Sequence, residues 1–287
     1  MSRVLLFGGT GQLGTEIQRE WNVSIHAPSH GELDIADAEN LGRTLNDGYD
    51  LVVNCAAFHN VEACESQPSD AFNFNAIAVD RIARLCAGRG IDFLTVSTDY
   101  VFDGEAHAPY RESDQTRPIQ TYGVSKLAGE LLVLRRGMQA YVVRTCGIYG
   151  VNTSTTKGYT FIDRVLTQLR DGEHVRIVSD VVASPTYARH LARALWHLVQ
   201  TKAYGIYHAA NVGPVSWYDF AVEAARQAGI DRKIEPISAS AWKTIARRPR
   251  YSALANEALA KLGITLPDWR EGIADYLRDK AAFDACA

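Results

Sequence analysis

Val4-Leu5-Leu6-Phe7-Gly8-Gly9-Thr10-Gly11-Gln12-Leu13-Gly14 is the stretch on which the fold turns. Four apolar residues in a row read as a strand buried on both faces, and residues 11–21 read as a helix. Gly8, Gly11 and Gly14 stand at the junction, three apart. A dinucleotide's pyrophosphate needs such a junction: a tight turn, a backbone that can be approached closely, and a helix N-terminus whose free N–H groups and dipole favour negative charge. Glycine also serves turns for conformational reasons alone, so the placement between a first strand and a first helix is what favours a nucleotide.

Outward from this junction the alternation continues. Short apolar or β-branched runs at 23–26, 51–54, 93–97 and 141–145 are separated by helix-period segments at 37–45, 70–87 and 122–136. Strands without polar alternation belong to a parallel sheet covered on both sides, so the expected class is α/β with a doubly wound (Rossmann) parallel sheet. After Gly150 the pattern loosens into a polar stretch at 151–158, then a helix at 159–170. Strands at 175–178 and 206–208 flank a helix at 187–199, and from about Asn211 the chain is helix-rich and punctuated by Pro214, Pro236, Pro249 and Pro267. The expected division is a dinucleotide-binding domain over 1–150 plus about 175–210. A smaller, mostly helical substrate domain takes about 151–174 plus 211–287.

Composition removes several classes. A formal charge of −3 with no long block of either sign gives no phosphate-backbone footprint, so no nucleic-acid partner is expected. No apolar run approaches a membrane span, and Met1-Ser2-Arg3 leads straight into a strand, which points to a cytoplasmic protein with no membrane partner. Five cysteines without C-x-x-C spacing and eight scattered histidines favour neither disulfides nor a metal.

Tyr122-Gly-Val-Ser-Lys126 puts a phenol and an ammonium four apart on one helix face. An adjacent cation stabilises the phenolate, so the spacing predicts a lowered phenol pKa and makes Tyr122 a candidate acid for reducing a ketone. The same spacing at Tyr276/Lys280 has no partners of that kind. Ser97-Thr98-Asp99-Tyr100 falls at the C-terminal end of the fourth predicted strand, where open α/β sheets place their sites, and Thr98 can polarise a carbonyl. A strand-end threonine also satisfies backbone groups, which is the plainer reading. After the second strand, Ala27-Pro28-Ser29-His30 offers neither a carboxylate for a ribose 2′-hydroxyl nor an arginine for a 2′-phosphate, so NADPH is only slightly favoured over NADH. Asp34 could flank an adenine or cap the next helix. Trp217, Trp242 and Trp269 could stack on a base or sugar but read first as core, and Arg247-Arg248-Pro249-Arg250 reads as either a solvated loop or a diphosphate contact.

Beyond these local readings, Gly8–Gly14, Glu32-Leu-Asp-Ile35, the 50–57 strand, Ser97-Thr-Asp-Tyr-Val-Phe-Asp-Gly104, Tyr122-Gly-Val-Ser-Lys-Leu-Ala-Gly-Glu130, Arg144-Thr145, Ser184-Pro-Thr186 and Arg248-Pro-Arg250 with Ser252 form one set. Over nearly the whole chain it resembles the extended short-chain dehydrogenase/reductase family, in its dTDP-4-dehydrorhamnose reductase branch. The resemblance implies that Thr98, Tyr122 and Lys126 are catalytic. It implies that Gly8, Gly11, Gln12, Leu13, Gly14, Asp34, Ile35, Ala57, Phe58 and His59, with Tyr122 and Lys126, hold NADPH or NADH, and that Asn75 supports the lysine. Thr98, Asp99, Tyr100, Gly147 and Arg248 would face a nucleotide-linked 6-deoxysugar whose 4-keto group is reduced, and a homodimer stays open. Two departures bear on the sugar: Gly147 stands where the family commonly has tryptophan, and Asp180-Val-Val-Ala183 replaces Asp-Gln-x-Gly. The alternatives are a non-catalytic NADP-binding regulatory subunit, which has no reason to keep Thr98, Tyr122 and Lys126 together, and an epimerase or dehydratase. A dehydratase would place an Asp-Glu pair where Asp99 and Tyr100 stand.

Overall fold

The structure, a computed structural model, describes residues 3–35, 37–137, 139–152, 159–241 and 244–285; most of the polar stretch 151–158, and Trp242, lie outside the described residues. Its first half runs β1 (Arg3–Phe7), α1 (Gln12–Glu20), β2 (Ser24–His26), α2 (Ala38–Thr44), β3 (Leu51–Asn54), α3 (Val61–Ser66), α4 (Pro68–Phe72), a π-helical segment (Asn73–Ala78), α5 (Val79–Ala87), β4 (Asp92–Thr98), α6 (Thr121–Leu134) and β5 (Ala140–Thr145). The second half adds β6 (Ile148–Tyr149), α7 (Phe161–Arg170), β7 (Arg176–Val178), β8 (Val182–Ala183), β9 (Thr186–Tyr187), α8 (Ala188–Thr201), β10 (Gly205–His208), β11 (Val215–Ser216), α9 (Trp217–Gln227), β12 (Glu235–Ile237), α10 (Glu257–Lys261) and α11 (Trp269–Asp284).

Six strands form the central sheet in the order β10-β5-β4-β3-β1-β2, and every ladder in it is parallel. The apolar runs explain this. Within β1, Val4 and Leu6 face Ile17 of α1 and Leu195 of α8, while Leu5 and Phe7 face Val79 and Ile82 of α5. A strand with apolar residues on both faces is stable only between two helical layers. From β1 the chain turns to β2 on one side and returns to β3 on the other, so a crevice opens beyond the C-terminal ends of β1 and β3.

Two expectations fail. The strand expected at 175–178 forms as β7 but pairs in parallel with β12, away from the central sheet, whereas the one expected at 206–208 does join that sheet beside β5. Arg176-Ile-Val178 is exposed at its first residue and only half-buried at the other two, too polar to lie between two helical layers. The helix after β2 is capped by Asp37, whose side chain accepts from the backbone N–H groups of Glu39 and Asn40, so Asp34 is not its cap. The smaller lobe has its own core, where α7, α9 and α11 close around Tyr149, Phe220, Ile273 and Tyr276.

Candidate active site

Above the C-terminal edge of the sheet lies a cavity of about 610 Å³, and its floor is the opening glycine turn. Gly8 leaves β1 with φ +78°, and a Cβ there would sit 2.8 Å from the Ala56 backbone nitrogen, so only glycine fits. A Cβ on Gly14 would overlap the Gly8 carbonyl oxygen, which lets α1 begin directly against the turn. Helix α1 has no side-chain cap at Gly11 and no acidic residue in its first turn. Its first N–H groups and positive dipole end are therefore left for an anion. Thr145 Oγ1, buried in the cavity wall at the end of β5, has no hydrogen-bond partner among the described residues. An uncapped helix start, a turn that admits no side chain and an unsatisfied hydroxyl fit a dinucleotide with a polar carboxamide end.

At the end of β4, Thr98 Oγ1 accepts from the Tyr100 backbone N–H at 3.1 Å and donates to Asp99 Oδ1 at 3.0 Å, with the Tyr122 phenol within its reach. The plain backbone-satisfying role and contact with the phenol thus coexist. Cys146 Sγ donates to Asp99 Oδ2 at 3.1 Å and Ser252 adds a further bond, while burial pushes the Asp99 carboxyl above its usual range. The Tyr100 ring meets Tyr122 edge-on at 6.2 Å.

The lysine does not do what its spacing predicts. Lys126 Nζ donates to the Val96 carbonyl oxygen at 2.7 Å. Burial pulls the ammonium down to about 8, against the opposing pull of Glu130, and the Tyr122 phenol is pushed up by burial and by Asp99, with the Thr98 bond working the other way. The expected lowering of the phenol is therefore reversed: desolvation and the Asp99 charge set its direction, while the ammonium is engaged by the Val96 carbonyl. Below them Glu130 accepts from Ser97 Oγ and pairs with Arg144 at 2.7 Å, and both members are buried. The second Tyr-x-x-x-Lys pair is structural: Tyr276 is core and donates to Asp163, while Lys280 pairs with Asp284 on the surface.

Gly8, Gly11, Gln12, Leu13, Gly14, Ala57, His59, Thr98, Asp99, Tyr100, Tyr122, Lys126 and Gly147 all line this one cavity. Five expected residues do not. Ile35 is packed in the core and Asp34 lies beside it, beyond the cavity wall. Phe58 turns its ring onto Phe74. Asn75, buried in the π-helical segment, accepts from the Phe58 N–H at 2.9 Å and donates to the Phe58 carbonyl and to Ser125 Oγ at 3.0 Å, so its bonds hold the wall and not the lysine. Arg248 pairs with Glu62 of α3 at 2.7 Å. Sequence reasoning missed Thr145, Cys146 and Phe161 as lining residues and put Trp217 in the core first. Thr145 carried a usable signal, its place at a parallel strand's C-terminal end; for Trp217 stacking was an open alternative that nothing local favoured, since its neighbours are distant in sequence.

The spore coat polysaccharide biosynthesis protein SpsK of Bacillus subtilis is 33% identical over 286 residues, covering 98% of this chain and 99% of that one. A dTDP-4-dehydrorhamnose reductase of Burkholderia thailandensis is 36% identical over 299 residues, covering 96% and 98%. The crystal structure of dTDP-4-dehydrorhamnose reductase from Bacillus anthracis in complex with NADP superposes with a TM-score of 0.92 at 30% identity, covering 97% of this chain and 100% of that one. The family described as the RmlD substrate binding domain matches residues 2–282, and the chain belongs to it, as an extended short-chain dehydrogenase/reductase.

Proposed function

We propose that the chain is an NAD(P)H-dependent oxidoreductase that reduces the 4-keto group of a nucleotide-linked 6-deoxysugar, converting dTDP-4-dehydrorhamnose to dTDP-L-rhamnose. The observation that carries this reading is the meeting of Thr98, Tyr122 and Lys126 with the uncapped start of α1 in one cavity. Relatives that match nearly end to end bear that reductase name, and one of them is solved with NADP. Residues 1–150 with β10 form the dinucleotide side, and the lobe of α7, α9 and α11 forms the sugar side.

The bound reduced nicotinamide supplies the hydride to the keto carbon. Thr98, turning its one hydroxyl proton from Asp99 to the keto oxygen, polarises the carbonyl. Tyr122 gives that oxygen its proton, which burial keeps on the phenol at neutral pH. Lys126, one turn along α6 and anchored on the Val96 carbonyl, keeps a cation in the same cavity wall, which would steady the charge left behind. The first N–H groups of α1 would hold the pyrophosphate, and Thr145 Oγ1 would meet the carboxamide.

The test is a panel of nucleotide-linked 4-keto-6-deoxysugars, each with NADPH and with NADH, followed at the nicotinamide absorbance band. Wild type oxidises the coenzyme in proportion to sugar consumed, and Tyr122→Phe lowers the rate by about 100-fold or more, the range for removing a general acid. Tight coenzyme binding with no oxidation by wild type would replace this reading with the regulatory-subunit one. Sugar conversion without net oxidation would replace it with epimerisation.

A further inference from the structure

Trp217 is held at the mouth of the cavity by three local features. Its backbone N–H donates to the Val181 carbonyl at 3.2 Å, Ser216 before it caps α9 by accepting from the Asp219 N–H, and β11 fixes both through pairing with β8. Phe161 meets the indole edge-on with ring centroids 4.8 Å apart, and Phe220 meets it at 88°. Those two rings set its orientation from the lobe side, yet the indole is only partly buried and lines the same cavity as Thr98 and Tyr122.

Across from it stands Gly147, two residues past the end of β5. Its φ is +52°, and a Cβ built there would lie 3.1 Å from Trp217 Cη2 and 3.3 Å from Pro185 Cα. Glycine therefore meets two demands at once, a left-handed backbone and room for the indole. We infer that Trp217 is the wall on which the hexose ring of the sugar nucleotide packs, and that Gly147 makes the room for it. This rests on the sugar-nucleotide reading above. A flat aromatic face suits the apolar C–H face of a pyranose and the methyl group of a 6-deoxysugar, while the hydroxyls turn to polar neighbours such as Asp99. Selectivity for the sugar, as distinct from the nucleotide, then resides in the smaller lobe.

The experiment is titration of the NADP-loaded protein with dTDP and, separately, with dTDP-L-rhamnose. In Trp217→Ala the affinity for dTDP-L-rhamnose falls about tenfold while that for dTDP holds, the size expected for one lost aromatic packing surface. Trp217→Phe, which keeps an aromatic between Phe161 and Phe220, loses less, and Gly147→Val, which crowds the indole, copies the alanine variant. Should Trp217→Ala fail to fold, as judged by NADP affinity and melting, the other two variants decide. An unchanged ratio of the two affinities in Trp217→Phe and Gly147→Val overturns the inference, as does an equal loss for both ligands. Because the ratio is a binding quantity, a wild type that shows it but oxidises no coenzyme overturns the reductase reading and leaves this one standing.

Discussion

Tyr122 and Lys126 lie one turn apart on α6, yet the ammonium donates to the Val96 carbonyl and burial governs both groups. The pH behaviour follows. The profile of kcat/KM reports groups on the free enzyme, where Lys126 is charged below about 8 and neutral above it, while Tyr122 stays protonated throughout. kcat/KM should therefore be level towards neutrality and fall with unit slope as pH rises past about 8. Lys126→Met should be slower and lack that fall; a wild-type profile level to pH 10 would contradict the assignment. The residues were legible in the sequence, since Tyr122, Lys126 and Thr98 all reach the cavity. The sign of the pKa shift was not, because spacing reports which groups are near and not how dry their surroundings are.

Helix α6 shows what one element must satisfy at once. On its Tyr122 face it carries the acid and Lys126, and a turn later Glu130 fixes Ser97 of β4 and Arg144 of β5. Glu130 is 2% exposed and Arg144 3%, so removing one charge strands the other in a dry site. Glu130→Gln should destabilise the fold by about 3–5 kcal/mol, read from urea unfolding, and a loss below 1 kcal/mol would mean that water reaches the pair. Next to it, a Cβ on Gly129 would run into the Asn75 carbonyl oxygen of the π-helical segment. Gly129→Ala should therefore cost about 1–3 kcal/mol, although alanine is the better helix former. The helix itself was readable from periodicity, as were the strands of the central sheet. Asn75 was not readable in its actual role, because its partners Phe58 and Ser125 are 17 and 50 residues away.

Across the whole molecule the smaller lobe reaches back over the cavity through the strap that carries Arg248 and Pro249. Glu62 of α3 holds it, accepting from the Ile245 and Ala246 N–H groups at 2.9 and 3.1 Å and from Arg248. Glu62→Ala should speed hydrogen exchange at Ile245 and Ala246 and leave NADP affinity unchanged, since α1 and its glycine turn lie elsewhere; unchanged exchange would show that packing of Pro249 on Gly104 suffices. This lobe was the part least legible in the sequence. Its strands are two or three residues long and paired across distant segments, as with β7 on β12, so no local period announces them. The sheet, built from local crossovers, announced itself. On the function proposed above, what joins the two parts is delivery of a hydride across the cavity to a sugar held on its far side. The most direct test uses NADPH deuterated at the transferable C4 position of the nicotinamide, with dTDP-4-dehydrorhamnose as substrate. The account predicts one deuterium at C4 of the product sugar for each coenzyme oxidised; product whose C4 hydrogen comes from solvent, or coenzyme that keeps its label, would contradict it.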